Sequence, residues 1–347
     1  MSSKPPLVSV CIPTYNRAGL LHECITSVLA QTFEDFELIV SDNASTDATT
    51  DVVNGFADSR IRYSRNSSNI GHLENFNRCL RLATGEFVVL FFDDDVMLPG
   101  NLAVKVDALR RHPRAGLVHS SYNIIDESGQ VVVADTNKFR QLGIADGASD
   151  SVEPGRRALE TLLRSNFINE STVMIRRACY ERIGGFTDQL RLAFDWEYWL
   201  RISRFHDIAF VAVPLVNWRS HSTSLTDLQF RRINDEVSSG RESIAIARVE
   251  TDLLSRARVE ESYLQEVSAA ARSEIRKHLR RQMADDVGGY AGALLGERGP
   301  SASVARFVLR MCRAYPGILS YSVVWKALLK TQLSRRRVLQ LKHLARV

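Results

Sequence analysis

Three adjacent carboxylates, Asp93, Asp94 and Asp95, end the apolar run Phe87-Val-Val-Leu-Phe-Phe92. Carboxylates side by side suppress one another's ionisation unless a cation compensates them. At the end of a buried strand they therefore point to a divalent metal site and to phosphate chemistry. The competing reading is a solvated acidic turn that only stops the strand. Two more polar segments, Pro13-Thr-Tyr-Asn-Arg17 and Asp42-Asn-Ala-Ser45, also directly follow apolar β-type runs. In an α/β sheet, ligands bind outside the carboxyl ends of the strands, so one edge should gather all three segments.

The elements that must position these residues alternate along the chain. Leu7–Ile12 reads as a short buried strand, and Leu20–Gln31 as a helix with Leu21, Cys24, Ile25, Val28 and Leu29 on its apolar face. Phe36–Val40 is a second strand, followed by a polar turn from Ser41 to Asp47 whose side chains can cap a helix over Ala48–Phe56. A short strand at Ile61–Tyr63 and a helix over Glu74–Ala83 come next, then Gly85 as the helix stop and the buried strand Phe87–Phe92. This order implies α/β architecture, a mostly parallel sheet covered by helices on both faces.

With 347 residues the chain is long enough for one large α/β domain and an appendage. Its five cysteines are scattered, with no CxxC pair, which argues against a disulfide framework or a zinc site and fits a reducing cytosol. Met-Ser-Ser-Lys-Pro-Pro6 lacks the apolar stretch of a secretory signal, so a cytoplasmic location is expected. Basic clusters such as Arg276-Lys-His-Leu-Arg-Arg281 and Arg335-Arg-Arg337 read first as solvated helix faces, with no nucleic-acid partner. The uncharged stretch Ala314–Trp325 contains Pro316 and Gly317 and is shorter than the ~20 residues of a spanning helix, which leaves only peripheral membrane contact open.

The turn after the first strand is not GxGxxG, and no GxxxxGK[ST] loop exists, so nucleotide binding has to use side chains and a metal. The motifs Val8-Ser-Val-Cys-Ile-Pro-Thr-Tyr-Asn-Arg17, Ser27-Val-Leu-Ala-Gln-Thr32, Glu37–Asp47, Asn69-Ile-Gly71 and Ala83–Asp95 keep the order and spacing of one family. Over roughly the first hundred residues the chain resembles the family-two glycosyltransferases of GT-A fold. That resemblance implies a Rossmann-like sheet and transfer of a sugar from a nucleotide-diphospho-sugar of UDP or dTDP type. It places Pro13, Thr14, Tyr15 and Asp42 at the base and ribose, Asn69 near the nucleotide, and Asp93 and Asp94 beside the ribose and diphosphate. An Asp carboxylate can accept the N3–H of a uracil or thymine ring, and Tyr15 offers an apolar face. Ala44 stands where relatives often have Gly, and Val96 where many have Asp.

The triplet corresponds to the family's Asp-x-Asp motif, which implies Asp95, with Asp93, as ligands of Mn²⁺ or Mg²⁺. Phe194-Asp-Trp-Glu-Tyr-Trp-Leu-Arg201 resembles the family's Glu-Asp stretch, which makes Asp195 the catalytic base with Phe194 in place of the Glu. The alternative for Asp195 is a helix cap, and Trp196 and Trp199 are either sugar-stacking or core residues. Val216–Ser224 resembles the Arg-x-His element, which adds His221 to the metal shell and sets Arg219 against phosphate oxygens.

The resemblance predicts a catalytic domain over 1–228, with a nucleotide-sugar half to residue 100 and an acceptor-side half beyond it. An α-helical appendage over 229–347 would pack on the catalytic domain, form a homodimer or touch an anionic membrane. The expected enzyme is a metal-dependent inverting hexosyl-type transferase acting on a saccharide or lipid-linked saccharide, in bacterial surface polysaccharide synthesis at the inner face of the membrane. A sugar-phosphate nucleotidylyltransferase and a non-catalytic nucleotide-sugar or carbohydrate binder are the alternatives. The first lacks its Gly- and basic-rich loop here, and Phe194 and Val96 keep the second open.

Overall fold

The computed structural model describes residues 4–141, 147–188, 190, 193–221, 239, 242–295 and 301–331. The expected domain boundary at 228, Gly299-Pro300, Arg335–Arg337 and Ser222–Ser224 lie outside the described residues. The chain divides into two compact units, 1–188 with 193–221, and 189–192 with 222–347.

The first unit begins with strand β1 (Val8–Thr14), helix α1 (Ala18–Leu29), β2 (Phe36–Asp42), α2 (Thr49–Asn54), β3 (Ile61–Arg65), α3 (His72–Leu82) and β4 (Phe87–Leu90). It continues through β5 (Val96–Met97), α4 (Asn101–Arg111), β6 (Ala115–Ile125), β7 (Val131–Thr136), α5 (Lys138–Gln141), β8 (Ser151–Glu153) and α6 (Gly155–Arg164). A 3-10 turn (Glu170–Thr172), β9 (Met174–Arg176), α7 (Arg177–Ile183), α8 (Phe194–Ser203) and β10 (Asp207–Arg219) complete it. All ten strands form one sheet whose main path runs β3-β2-β1-β4-β9-β6-β10-β5. The pairs β1–β2, β1–β4, β2–β3 and β6–β10 are parallel, whereas β9 is antiparallel to both β4 and β6. β4 and β6 therefore point the same way, and the loops after β1, β2, β3, β4, β6 and β10 leave from one edge.

Alternation along β1 shows why the sheet is covered on both sides. Val8, Val10 and Ile12 share a core with Leu21, Ile25 and Val28 of α1, while the Cys11 thiol between them donates to Cys79 O in α3 at 3.5 Å. Each such aliphatic side chain contributes about 1.5–3 kcal/mol by leaving water. Gly85, expected as the stop of α3, has another job: α3 ends at Leu82, and a Cβ at Gly85 would lie 2.7 Å from Ser9 N. Glycine is needed there because the backbones of the Gly85 loop and β1 nearly touch. The long β10 absorbs Pro214, which has no N–H to donate, at a register shift against β6.

The second unit is helical, as expected for the end of the chain: α9 (Glu242–Leu264), α10 (Ala269–Leu295), α11 (Ala302–Ala314), a 3-10 turn (Pro316–Ser320) and α12 (Ser322–Lys330). Its own core joins Val249, Leu253, Met283, Val287, Phe307, Met311, Ile318 and Leu328. Between α9 and α10, Ser268 Oγ accepts from Ala271 N at 3.2 Å and caps the second helix. Among the described residues no helix is long and apolar enough to cross a membrane. All five cysteines are buried free thiols.

One buried residue breaks the pattern of the core. Lys105 occupies the inward stripe of α4 between Leu102 and Leu109, is fully buried, and its Nζ has no hydrogen-bond partner. Burial alone lowers its pKa from 10.5 to about 7. Between pH 7 and 10.5 the unfolded chain keeps a proton that the folded chain has released, so stability rises with pH across that window. Lys105→Met is expected to stabilise the protein at pH 7 by about 2 kcal/mol or more and to flatten this slope, read by urea unfolding at several pH values. A less stable variant with the slope intact would contradict the account.

Candidate active site

The carboxyl edge of the sheet is assembled by hydrogen bonds between loops that are far apart in sequence. After β2, Asp42 is wholly buried: Oδ1 accepts from Ser45 N (2.8 Å), and Oδ2 from Tyr63 Oη (2.6 Å) and Arg65 Nε (3.1 Å). The Ser45 bond closes a turn in which Ala44 holds φ at 64°, a region that costs an L-residue about 1–2 kcal/mol. A backbone region that Gly adopts without this cost is thus held here by Ala. Asn16 in the β1 loop accepts from Thr46 N at 2.7 Å through Oδ1, which fastens the first two loops together.

The third loop is tied in by asparagine side chains that sequence reasoning passed over. Asn43 Oδ1 accepts from Asn66 Nδ2 (3.0 Å) and Ile70 N (2.9 Å), and Asn75 joins Asn66 to Ser41. The expected nucleotide residue Asn69 is exposed at the rim, its Oδ1 accepting from Asn43 Nδ2 (3.0 Å) and Gly71 N (2.8 Å). Tyr15, just after β1, stands 44% exposed, while Pro13 and Thr14 are buried in β1.

The triplet is drawn inward after β4, and its three members differ. Asp95 is almost fully buried; its carboxylate accepts from Ser171 Oγ and, at 2.8 Å, from Arg219 N. Asp94 faces His221, Nε2 to Oδ2 3.0 Å, with Arg17 at 4.0 Å. Burial, with Asp94 next in effect, raises the Asp93 carboxyl to about 7 and pushes Asp95 well above the carboxylate range. Thr14 Oγ1, buried and without a hydrogen bond of normal geometry, is near enough to Asp93 to oppose part of that rise. Carboxyls whose ionisation burial and a neighbouring acid oppose, beside the buried Thr14 hydroxyl, are the donor set a hard cation would ionise. Among the described residues no three His, Cys, Asp or Glu side chains enclose a metal position, so oxygens from a ligand would have to complete its shell.

Arg219 differs from its expected role. Instead of facing phosphate oxygens it is buried, donating through Nε to Asp94 O (2.8 Å), through Nη1 to Asp126 O and Glu127 O (3.1 and 3.2 Å) and through Nη2 to Glu23 (2.6 Å). Its guanidinium clamps the triplet loop to α1 and to the turn after β6. The tryptophans also lie in the core: Trp196 is buried and donates to Leu162 O at 2.7 Å, and Trp199 is buried, so neither is set to stack on a sugar. Phe194 joins an aromatic cluster, its ring 5.5 Å from both Phe76 and Phe186.

Asp195 sits in the first turn of α8, one residue past the Phe194 start, and Ala193 rather than Asp195 is the cap. Asn166 Nδ2 donates to its Oδ2 at 2.9 Å. Burial raises its carboxyl, opposed by the Trp196 N–H, Lys138 and Asn166. Glu197 points elsewhere, buried and paired with Arg201 at 2.9 Å. Sequence reasoning missed Asn166, Glu170, Ser171 and Lys138, because they lie outside the matched motifs and in segments without periodicity. The segment 166–171 connects the two acidic groups: Asn166 bonds Asp195 at one end and Ser171 bonds Asp95 at the other.

Residues 9–181 match the family described as Glycosyl transferase family 2. A PGL/p-HBAD biosynthesis glycosyltransferase of Mycobacterium bovis is 30% identical over 200 residues, covering 56% of this chain and 69% of that protein. S. aureus TarS 1-349, solved in complex with UDP-GlcNAc, aligns with TM-score 0.55 and 17% identity over 94% of this chain and 91% of its own. A mannosyltransferase from Pyrobaculum calidifontis in complex with GDP-Man and Mn²⁺ aligns with TM-score 0.52 and 19% identity over 96% and 89%. At these identities the structural likeness speaks for the fold.

The Arg219 clamp generates a stability prediction. Arg219→Met keeps an apolar stem but leaves the carbonyls of Asp94, Asp126 and Glu127 without their donor, and should cost about 3 kcal/mol in urea unfolding. A cost below about 0.5 kcal/mol, the range of an exposed arginine, would refute the clamp.

Proposed function

Because the chain belongs to glycosyl transferase family 2, we propose that it is an inverting enzyme that moves a sugar from a nucleotide-diphospho-sugar to an acceptor hydroxyl, with Asp195 as base. The observation that carries this reading is the 166–171 segment, hydrogen-bonded to Asp195 at one end and to Asp95 at the other. A base and a leaving-group clamp joined through one short segment suit a single displacement, in which geometry supplies much of the rate.

On the donor side, Tyr15 would lie against the base, with Pro13 and Thr14 behind it and Asn69 at the rim. Asp42 is engaged by Ser45, Tyr63 and Arg65, so its contribution to a UDP- or dTDP-type nucleotide is to fix the floor of the pocket as well as to offer remaining lone pairs. Asp93 and Asp94 would face the ribose and diphosphate. Mn²⁺ or Mg²⁺, held by Asp95 and Asp93 with His221 alongside, would supply positive charge against the departing diphosphate. On the acceptor side, Asp195 takes the hydroxyl proton as that oxygen forms its bond to the anomeric carbon. The bond from that carbon to the diphosphate oxygen breaks on the opposite face.

The donors printed for the aligned structures, UDP-GlcNAc and GDP-Man, support the donor class but not one sugar. The reading extends to a saccharide or lipid-linked saccharide acceptor in bacterial surface polysaccharide synthesis on the cytoplasmic side of the membrane. A catalytic domain over 1–228, with the helical remainder serving homodimer or peripheral membrane contacts, belongs to the same proposal.

Three experiments test it. Asp195→Asn should lower release of nucleoside diphosphate from UDP-, dTDP- or GDP-sugars by about a thousandfold with donor affinity unchanged; full turnover would assign the base elsewhere. Since the base works ionised and burial raises its carboxyl, the acid limb of the wild-type pH profile should lie above the ordinary Asp value near 3.8. EDTA should abolish turnover, and Mn²⁺ or Mg²⁺ should restore it. Turnover insensitive to chelation removes the metal from the scheme.

A further inference from the structure

Asp195 is asked to remain a carboxylate in a setting that opposes it. It is part-buried, and Glu170 brings a second carboxyl close by on the 3-10 turn. That turn cannot swing away: Asn169 Oδ1 accepts from Ser171 N at 3.1 Å, Thr172 Oγ1 donates to Asn169 O at 2.6 Å, and Ser171 is bound to Asp95. Within α8 the next acid, Glu197, is consumed by Arg201 and Thr187. Among the described residues, the groups acting on Asp195 are therefore the α8 N–H groups, the Asn166 amide, Glu170 and the cation Lys138.

Lys138 is fixed where it can matter. It is half-buried at the start of α5, and its Nζ donates to Ile168 O at 3.3 Å. Ile168 N in turn donates to Asn166 Oδ1 at 3.2 Å, and the same Asn166 side chain donates to Asp195. The ammonium is thus tied to the segment that holds the base, on the side shared with Glu170, and its charge favours the ionised form of both carboxyls. An amide or hydroxyl at 138 could keep the tie to Ile168 O, but only a cation favours the ionised form of these carboxyls.

We infer that Lys138 is a positioning residue for the base, its ammonium anchored over the 166–170 segment so that Asp195 keeps its negative charge beside Glu170. The inference rests on the reading of Asp195 as base, yet its test is independent of turnover. In the full-length chain labelled with carbon-13 at aspartate side chains, the Asp195 resonance is the one lost in Asp195→Asn, and its titration gives the carboxyl pKa directly. Lys138→Met and Lys138→Gln should each raise that pKa by about one unit, and Lys138→Arg should leave it near wild type. Gln separates charge from structure, because it can still bond Ile168 O. Unchanged titration in both neutral variants overturns the inference, as does a shift in Met that Gln abolishes. Retained turnover in Asp195→Asn would instead remove the base reading and leave the measured coupling standing.

Discussion

Asp93, Asp94 and Asp95 are carried into the protein by the strand before them, so carboxylates must be compensated where water is scarce. Arg219 is the protein's own answer. Its backbone N–H bonds Asp95, and its guanidinium gathers the Asp94 carbonyl, the turn after β6 and Glu23 of α1 around the triplet. Isolated, a buried guanidinium would cost several kcal/mol; here every direction it points is an acceptor. The compensation is structural and incomplete, since Asp93 and Asp95 still sit above the carboxylate range. Ionising both at once would call for a further positive charge at this edge.

The rest of the edge follows from where strands end. β1, β2 and β4 run parallel and side by side, so Thr14, Asp42 and the triplet emerge together. The short antiparallel β9, inserted between β4 and β6, begins at the same edge and brings the 3-10 turn with Glu170 and Ser171 to the triplet. α8 then presents Asp195 from its first turn, where the helix dipole favours an anion. Two kinds of carboxylate result. Asp95 is paired with Ser171 and the Arg219 N–H and Asp94 with His221, whereas Asp195 is held by the Asn166 amide with an ammonium nearby.

The front half of this arrangement was legible in the sequence because its signals are local. Leu21, Cys24, Ile25 and Val28 fall on one helical face, and each of the first strands stops at a polar segment. The acidic triplet announced itself by being acidic after an apolar run. What was not legible depends on contacts between distant segments. Nothing local distinguishes Arg219 facing carbonyls from Arg219 facing phosphate, and Gly85 looks like a helix stop until the backbone of Ser9 lies against it. Trp196 and Trp199 have the type of sugar-stacking residues and the spacing of core ones, and burial decided for the core. Asn43, Asn66 and Asn75 carry no periodic signal, yet they lock the β2 and β3 loops. The fold rests on patterns that survive without tertiary context; the site is a set of tertiary pairings.

The central claim is that this edge binds a nucleotide-diphospho-sugar. Thermal unfolding of the intact chain with UDP-GlcNAc, dTDP-glucose and GDP-mannose, each with Mn²⁺, tests it most directly. A true donor present at a hundred times its Kd stabilises the fold by about 2.7 kcal/mol, a shift of several degrees in Tm. The account predicts such a shift for at least one of the three and its loss in Asp95→Ala; no shift with any of them, or an equal shift in Asp95→Ala, would contradict it.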